Sequence, residues 1–381
     1  MSHRFLSSAQ RNSLLGLLAI SLAVAGCGQN QPEGGNATPT PQTAKTIRIG
    51  TGVTPETKHA AYLYAAALEQ GGYSVDIVDT AGSRDELFES MGVESTSFAT
   101  ADPTATSPAD RYVHIVPDLS GDLLLYLTDN GETSPTTIEE ERASAQDTAK
   151  ASAGAEDPTP DPQETTAAAM PTPSLSPTPT GAALNVRGLS SNDIVSYMDR
   201  SLPDTITTLN PSAATTRYGY AITTATAQKY GIKTMDDLGE QCKHLTFTAP
   251  ADFADNPAGV DSLAQHYSCT PGKILDNNDR GNRAWQLITA QADIAYLYST
   301  STDVDRNNLI FLDDPQGTQL AQNIVPLTRT GEIPDEAQDI INGVSAQLDA
   351  DTLKSLEALT QGENPISEKD AANFWLKTKK G

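Results

Sequence analysis

The chain has 381 residues, which leaves room for two or three domains, and a formal net charge of −24 from 49 acidic and 25 basic residues. This acidic balance argues against nucleic-acid binding, which needs a basic face, and against a broad electrostatic hold on an anionic membrane surface. Aromatic residues make up only 6% of the chain, so a tyrosine in a predicted cleft carries information about function.

The first 26 residues have the pattern of a lipoprotein signal peptide. Arg4 and Arg11 precede an apolar stretch at 14–25, which is shorter than the roughly 20 apolar residues that span a bilayer. Residues 24–27 read Val-Ala-Gly-Cys and resemble a bacterial lipobox. This resemblance implies that Cys27 is acylated, for example with palmitate, and anchors the protein at the extracytoplasmic face of the cell membrane. The alternative is an ordinary secretory signal with a chance cysteine. The Gly-, Pro- and Thr-rich residues 27–45 then form a flexible tether.

Ordered structure is expected from Thr46 onwards, as strands that alternate with helices. Ile47 and Ile49 alternate with Arg48, which predicts a strand. Residues 57–70 carry an apolar helical face that ends at two glycines. A strand at 73–78, a helix at 83–91 and a strand leading into an apolar stretch at 114–127 follow. This spacing favours a βαβ arrangement with a parallel sheet.

Residues 129–184 differ sharply in composition from the rest. Between 131 and 182 the chain holds eight prolines, many Thr, Ser and Ala residues, and nine acidic against two basic residues. Such a segment buries too little apolar surface to order itself, so we expect a disordered insertion, with a helical start at 137–150 as an alternative. Its Thr-Pro repeats are also compatible with O-glycosylation. It is either a tolerated surface insertion or a spacer that binds a partner.

Helices and strands alternate again in the second half of the chain. The predicted helices lie at 191–202, 224–230, 235–242, 262–267, 283–289, 336–346, 349–361 and 368–377, and the predicted strands at 217–223, 245–248, 293–298 and 309–314.

Two further cysteines, Cys242 and Cys269, are expected to form a disulfide, because an exported chain enters an oxidising compartment. The closed loop should add on the order of 3 kcal/mol to the free energy of unfolding. Zinc binding is the weaker alternative, since there is no Cys-x-x-Cys spacing. A nucleophilic cysteine would need a histidine partner, and His244 near Cys242 is more often a surface residue.

Motifs of catalysis are missing from the sequence. There is no Gly-x-Ser-x-Gly elbow, no His-Glu-x-x-His helix, no phosphate-binding loop and no Gly-rich dinucleotide motif. No two histidines stand at metal-ligand spacing, and the paired aspartates at 236–237 and 313–314 follow element ends, where they are most simply caps. We therefore expect no enzyme, no cofactor and no metal site.

A series of segments, taken in order, resembles the OpuAC-like substrate-binding proteins of ABC importers, which capture glycine betaine, choline and related compatible solutes. The matching segments are 47–58, 71–75, 117–121, 217–221, 234–238, 293–300 and 312–314, with a turn expected at Pro326. The resemblance implies two α/β lobes of the type II periplasmic-binding-protein fold, with a hinge and a ligand between them. The first lobe would comprise 46–128 and 299–381, and the second 185–298.

The resemblance also implies an aromatic box around a quaternary ammonium group, with a cation–π attraction of about 0.5–2 kcal/mol per contact. Tyr218 and Tyr298 fall on tyrosines of this box, Thr216 lies beside the first, and Ser299 and Thr300 lie beside the second. The alternative is that both tyrosines are only core aromatics at strand ends.

Other positions are expected around the same cleft. Asp118 and Ser120 would line it at the hinge of the first lobe. Leu119 replaces an aromatic residue of the family pattern, and Gln322 lies about where the family has a tyrosine. These departures leave a different polar or zwitterionic solute, or a loss of transport, as alternatives to a betaine.

Lys58 stands where a neutral polar contact is common in the family. A lysine there would set the charge preference of the site, and its alternatives are to face solvent, to pair with Asp118 or Glu56, or to bind a ligand carboxylate. The resulting prediction is a lipid-anchored solute-binding protein whose partners are a small solute, ABC permease subunits and the bilayer. The alternative is an envelope lipoprotein that uses the same fold in cell-envelope assembly or partner binding.

Overall fold

The computed structural model describes residues 46–80, 82–93, 111–153, 183–254, 256, 258–362 and 364–379. The predicted signal peptide, Cys27 and the tether lie outside these residues, as do residues 154–182 of the predicted insertion. The elements, in chain order, are β1 (Ile47–Gly50), α1 (Pro55–Gln70), β2 (Val75–Val78), α2 (Arg84–Ser90), β3 (Ile115–Leu119), α3 (Ser120–Leu127), α4 (Pro135–Ala153), α5 (Ser191–Ser201), β4 (Ile206–Thr208), β5 (Thr215–Thr216), β6 (Tyr218–Ile222), α6 (Thr224–Tyr230), β7 (Thr246–Ala249), α7 (Val260–Tyr267), β8 (Lys273–Asp276), α8 (Arg280–Ile288), β9 (Ile294–Tyr298), α9 (Thr302–Arg306), β10 (Ile310–Phe311), β11 (Gln322–Arg329), α10 (Asp335–Ser345), α11 (Ala350–Gln361) and α12 (Glu368–Lys379).

Two sheets define two lobes. The first sheet has the order β2-β1-β3-β11-β4, and β5 also pairs with β11. Its strands β1, β2 and β3 are parallel, as the βαβ pattern predicts, and β11 runs antiparallel to β3, β4 and β5. The second sheet has the order β10-β6-β9-β7-β8. The predicted mixed α/β, two-lobed architecture is thereby confirmed.

Helix α1 is the central helix of the first lobe. Its Ala- and Leu-rich sequence is buried along most of its length, and it packs against α10, α11 and α12. The helix begins at a capping box, in which the Thr54 hydroxyl accepts a hydrogen bond from the backbone N–H of Thr57. This start places Glu56 in the first turn, where its side chain is buried against the second lobe.

The lobe boundaries differ from the predicted ones. Residues 185–216 belong to the first lobe rather than the second, because β4 and β5 hydrogen-bond to β11 and α5 packs on α3. Residues 299–311 stay with the second lobe, because β10 pairs with β6. The chain therefore crosses between the sheets at Arg217 and again between Phe311 and Gln322.

The first part of the predicted insertion is helical, as the alternative allowed. Helix α4 packs against α5, and Ile138 is buried there at 5% exposure. Two ion pairs fix the helix, from Arg200 to Glu139 at 2.7 Å and from Arg142 to Asp204 at 3.3 Å. The composition of the whole segment conceals this order, because only a few residues of the helix, among them Thr137 and Ile138, are buried.

The prediction of a turn at Pro326 is wrong, because strand β11 runs through this position. Pro326 lies in the middle of the strand, directly opposite Pro117 of β3. Neither proline has an N–H to donate, so the two fit at a pair where an antiparallel ladder needs no such bond. The Pro326 carbonyl still accepts a hydrogen bond from Leu209, at 2.9 Å. A proline that usually ends a strand is thus accommodated inside one.

The predicted disulfide between Cys242 and Cys269 is present, with 5.2 Å between the two Cα atoms, and both cysteines are fully buried. It joins a 3-10 segment, Gly239–His244, to the residues just after α7. A helix predicted at 235–242 is instead two short 3-10 segments, Met235–Asp237 and Gly239–His244, because Gly239 has a positive φ of 34°. Among the described residues, no helix is long and apolar enough to cross a membrane.

Candidate functional site

Three tyrosines of the second sheet lie against one another where the two lobes meet. Tyr218 opens β6 and is paired in register with Tyr298 of β9, and Tyr296 lies two residues earlier on the same face. The ring centres of Tyr218 and Tyr298 are 3.8 Å apart, and those of Tyr218 and Tyr296 are 4.6 Å apart, both in stacked geometry. We call these three residues the tyrosine stack. The two predicted box tyrosines are therefore brought together, but they touch each other instead of facing each other across a ligand.

A small cavity borders the tyrosine stack between the lobes. Its polar lining comes from Asp122 and Gln322 of the first lobe, from Asn256 of the second, and from Gln319 of the second crossing, and its aromatic lining from Tyr218 and Tyr296. The cavity volume is about 10 Å³, close to the least that holds one water molecule. The cleft is therefore closed in this structure, and side chains of both lobes line the space that remains.

Asp122 is the charged group of this cavity. Its carboxylate accepts a hydrogen bond from the Tyr298 hydroxyl at 3.1 Å and from the Gln322 amide at 3.2 Å. Burial raises the pKa of this carboxyl, and the nearby Arg84 guanidinium opposes that shift without cancelling it. A cationic ligand would relieve the unfavourable burial of this charge. Sequence reasoning missed Asp122, although it lies two residues after the predicted Ser120.

Asp118 and Ser120 make hydrogen bonds inside the first lobe, next to the cavity. Both are fully buried. The Asp118 carboxylate accepts two hydrogen bonds from the Arg84 guanidinium, at 2.8 and 2.9 Å. The Ser120 hydroxyl accepts one from the backbone N–H of Asn323, at 3.0 Å. These contacts position α3 and β11, and thereby Asp122 and Gln322, but neither residue lines the cavity.

Of the other five predicted site residues, three make contacts at the first crossing, one lines the cavity and one is exposed to solvent. The Thr216 and Thr300 hydroxyls are hydrogen-bonded at 3.0 Å, and the Ser299 hydroxyl accepts a hydrogen bond from the backbone N–H of Arg217 at 3.2 Å. These contacts fix the first crossing between the lobes. Gln322 lines the cavity and also accepts a hydrogen bond from the backbone N–H of Asp122, at 2.8 Å. Lys58 is exposed on α1, which corresponds to its solvent-facing alternative.

An arginine that the sequence did not single out joins the lobes beside the tyrosine stack. Arg280, the first residue of α8, donates to both carboxylate oxygens of Glu56, at 2.6 and 2.9 Å. It also donates to Glu357 of α11, at 3.2 Å, and its guanidinium lies 4.9 Å from the ring centre of Tyr298.

Electrostatics favours the charged form of both partners in this contact. Burial acts to raise the pKa of Glu56, but the charge and hydrogen bonds of Arg280 outweigh it, so that the pKa lies below its usual value. Burial likewise acts to lower the pKa of Arg280, while Glu56 and Glu357 raise it above its ordinary value. The partners of Arg280 are 224 and 77 residues away in the chain, so no local pattern could have shown this contact.

The lining of the cavity combines charged, aromatic and amide groups. It offers one carboxylate, stacked aromatic rings and three side-chain amides, which suits a small polar solute with a positive charge. No group of three or more His, Cys, Asp or Glu residues in the described part of the chain is arranged to hold a metal ion.

A comparison with protein-family models identifies one family. Residues 45–378 match the OpuAC family, described as the substrate-binding domain of ABC-type glycine betaine transport systems. No curated protein sequence matches the chain.

Two solved structures are similar in fold. One is a glycine betaine/carnitine/choline ABC transporter, with a TM-score of 0.58 and 14% identity over 88% of this chain and 98% of that one. The other is apo YehZ from Escherichia coli, with a TM-score of 0.50 and 16% identity over 88% of this chain and 99% of that one.

Proposed function

Because the chain belongs to the OpuAC family of substrate-binding domains of ABC-type glycine betaine transport systems, we propose that it is the solute-binding component of an ABC importer. The observation that carries this proposal is the cavity between the lobes, where Asp122 of the first lobe meets the tyrosine stack of the second. A site built from both lobes couples binding to lobe closure, and the closed form is the one that a permease can distinguish from the empty protein.

The ligand we propose is a small compatible solute that carries a positive charge, such as glycine betaine or choline. When the cleft opens enough to admit it, a cation can contact the rings of Tyr218 and Tyr296 that line the cavity together with the Asp122 carboxylate. Gln319, Gln322 and Asn256 would hydrogen-bond to a hydroxyl or carboxylate at the other end of the solute. The family description and the name of one structural neighbour point to the same class of solutes.

Isothermal titration calorimetry tests this proposal. The full chain is titrated with glycine betaine, choline, carnitine, ectoine and amino-acid zwitterions, and a Tyr218→Ala variant serves as the control for specific binding. We expect saturable heat with at least one cationic solute and a weaker affinity in the variant. The absence of binding to every solute, or equal affinity in both proteins, would contradict the proposal.

We further propose that the protein is a lipoprotein anchored through Cys27 on the extracytoplasmic face of the cell membrane. The support is the sequence pattern around Cys27 and the polar residues 28–45 that would separate the anchor from the folded lobes. A Cys27→Ala variant should appear in the soluble fraction, while a Cys242→Ala variant keeps the anchor. Mass spectrometry of the mature N-terminus should find acyl chains on Cys27.

A second candidate is an envelope lipoprotein that no longer transports a solute. The observation that favours it is the small cavity, since a volume of about 10 Å³ holds no solute, and beside it Tyr218 stacks on Tyr298, whose ring also lies 4.9 Å from the Arg280 guanidinium. A deletion strain decides between the two functions. An uptake defect for the bound solute supports import, whereas an envelope defect with normal uptake supports the second candidate.

A further inference from the structure

Arg280 makes an interlobe contact that has the composition of a ligand site. Two carboxylates of the first lobe, Glu56 from α1 and Glu357 from α11, converge on one guanidinium group of the second lobe. Glu357 is itself held in place, because its second oxygen accepts a hydrogen bond of 2.5 Å from the backbone N–H of Thr302. The bidentate bond to Glu56 is the strongest form of an arginine–carboxylate pair.

The contact is screened from water. The exposed fractions of the side chains are 11% for Arg280, 4% for Glu56 and 7% for Glu357. Exposed ion pairs contribute little, but a buried charge that loses its partner is strongly unfavourable. Separating the lobes would break the bidentate pair with Glu56, the bond to Glu357 and the contact with the Tyr298 ring together, so opening costs several short contacts at once.

The guanidinium of Arg280 also lies over the face of the Tyr298 ring. It lies 4.9 Å from the ring centre of Tyr298, within the range of a cation–π interaction. Tyr298 is one of the two tyrosines expected to hold the cation of a solute. The protein therefore already places a positive charge next to the Tyr298 ring. The same ring also stacks on Tyr218.

We propose that Arg280 acts as a built-in substitute for the cation of a ligand and holds the two lobes closed when no solute is bound. The first lobe then contains a guanidinium-binding site, formed by Glu56 and Glu357, whose occupant is a side chain of the second lobe. The consequence for solute binding rests on the proposed function. A solute must compete with Arg280, because a protein that is closed without ligand is only fractionally competent to bind.

Small-angle X-ray scattering of the full chain without solute tests the closure directly. Arg280→Ala empties the guanidinium site, and Arg280→Gln removes the charge but keeps most of the side chain if the alanine variant folds poorly. Arg200→Ala is the matched control, because Arg200 pairs with Glu139 inside the first lobe. We expect a larger radius of gyration for both Arg280 variants than for the parent protein, and no change for the control.

Chemical rescue tests the site itself. Millimolar methylguanidinium should return the radius of gyration of Arg280→Ala toward that of the parent protein, since it restores the bidentate pair with Glu56. Methylammonium at the same concentration should not, because it cannot form two parallel hydrogen bonds. An unchanged radius in both Arg280 variants, or a rescue equally strong with methylammonium, would overturn the proposal.

The two proposals fail separately. If no solute binds in calorimetry but the Arg280 variants open, the proposed function is lost and the closure by Arg280 stands. If a solute binds and the Arg280 variants keep the compact radius, the function stands and the closure by Arg280 is lost.

Discussion

The hydroxyl group of Tyr298 in the second lobe donates a hydrogen bond of 3.1 Å to the carboxylate of Asp122 in the first lobe. This bond crosses the cleft beside the cavity, so a direct contact between the lobes involves the carboxylate that we propose recognises a cation. Recognition and closure should therefore respond together to changes at either position.

Asp122→Asn should stabilise the protein and weaken its binding. Burial raises the pKa of Asp122, so the ionised form at pH 7 opposes folding, and removing the charge should add about 0.5–2 kcal/mol to the free energy of unfolding. The affinity for a cationic solute should fall, because the only charge of the cavity lining is lost. Urea unfolding and calorimetry measure the two effects. Asp76→Asn, at an exposed position of β2, should change neither.

Tyr218→Ala should weaken binding of a cationic solute about 2- to 30-fold, which corresponds to the cation–π contribution of roughly 0.5–2 kcal/mol. Tyr218→Phe keeps the ring and should bind nearly as well as the parent protein. The control is Tyr230→Ala, a half-buried tyrosine of α6 outside the cleft. If the phenylalanine and alanine variants bind equally weakly, the hydroxyl group rather than the ring carries the recognition.

The protonation of Glu56 should make the contact to Arg280 dependent on pH. The pKa of Glu56 in the folded protein lies below the usual 4.5, so its contribution to stability is present above pH 4.5 and is lost as pH falls through the lower, folded value. Urea unfolding of the parent protein and of Glu56→Gln should differ most above pH 4.5. The difference should shrink at lower pH, and a difference that grows on acidification would contradict this assignment.

Asp118→Ala should destabilise the first lobe by about 3–5 kcal/mol, because it removes the buried carboxylate of a bidentate pair and leaves the Arg84 guanidinium only a 3.9 Å contact with Asp122. Glu69→Ala breaks an exposed pair with Lys369 of similar length, 2.9 Å, and should cost less than about 1 kcal/mol. Denaturant midpoints of the two variants provide the comparison. Equal effects would mean that Arg84 and Asp118 contribute no more than a surface pair.

Replacing both Cys242 and Cys269 by alanine should lower the free energy of unfolding by on the order of 3 kcal/mol, since the disulfide closes a loop across 27 residues. A thiol added to the folded parent protein should cause the same decrease in the free energy of unfolding only if it can reach the buried disulfide. Thermal unfolding with and without reductant measures both. A double variant as stable as the parent protein would show that the disulfide does not contribute to the free energy of unfolding.

Much of the fold follows from local patterns. Helix α6 was predicted at 224–230 and is found at Thr224–Tyr230, because a Thr223 cap and a left-handed Gly231 mark both ends. Strand β11 was missed for the opposite reason. It is buried on both faces and contains Pro326, so it shows neither alternation nor the usual absence of proline.

The site was predictable only in part. Tyr218 and Tyr298 follow from the order of motifs, and the register between β6 and β9 puts them side by side. The stacking between them does not follow from the sequence, since it depends on the side-chain rotamers that the two rings adopt on one face of the second sheet. The contact of Arg280 could not be predicted from the sequence either, because its partners Glu56 and Glu357 lie on helices that are distant in the chain.

The first crossing between the sheets consists of a single residue. Thr216 is the last residue of β5 and Tyr218 the first of β6, so only Arg217 separates the sheet of one lobe from the aromatic surface of the other. A rotation about this linker necessarily turns the Tyr218 ring by a comparable angle. The residue of the first crossing and a tyrosine of the proposed site are thus neighbours in one short piece of backbone. Under the proposed function, a substitution at Thr216, Arg217 or Tyr218 should therefore change both the opening of the lobes and the contact with the solute.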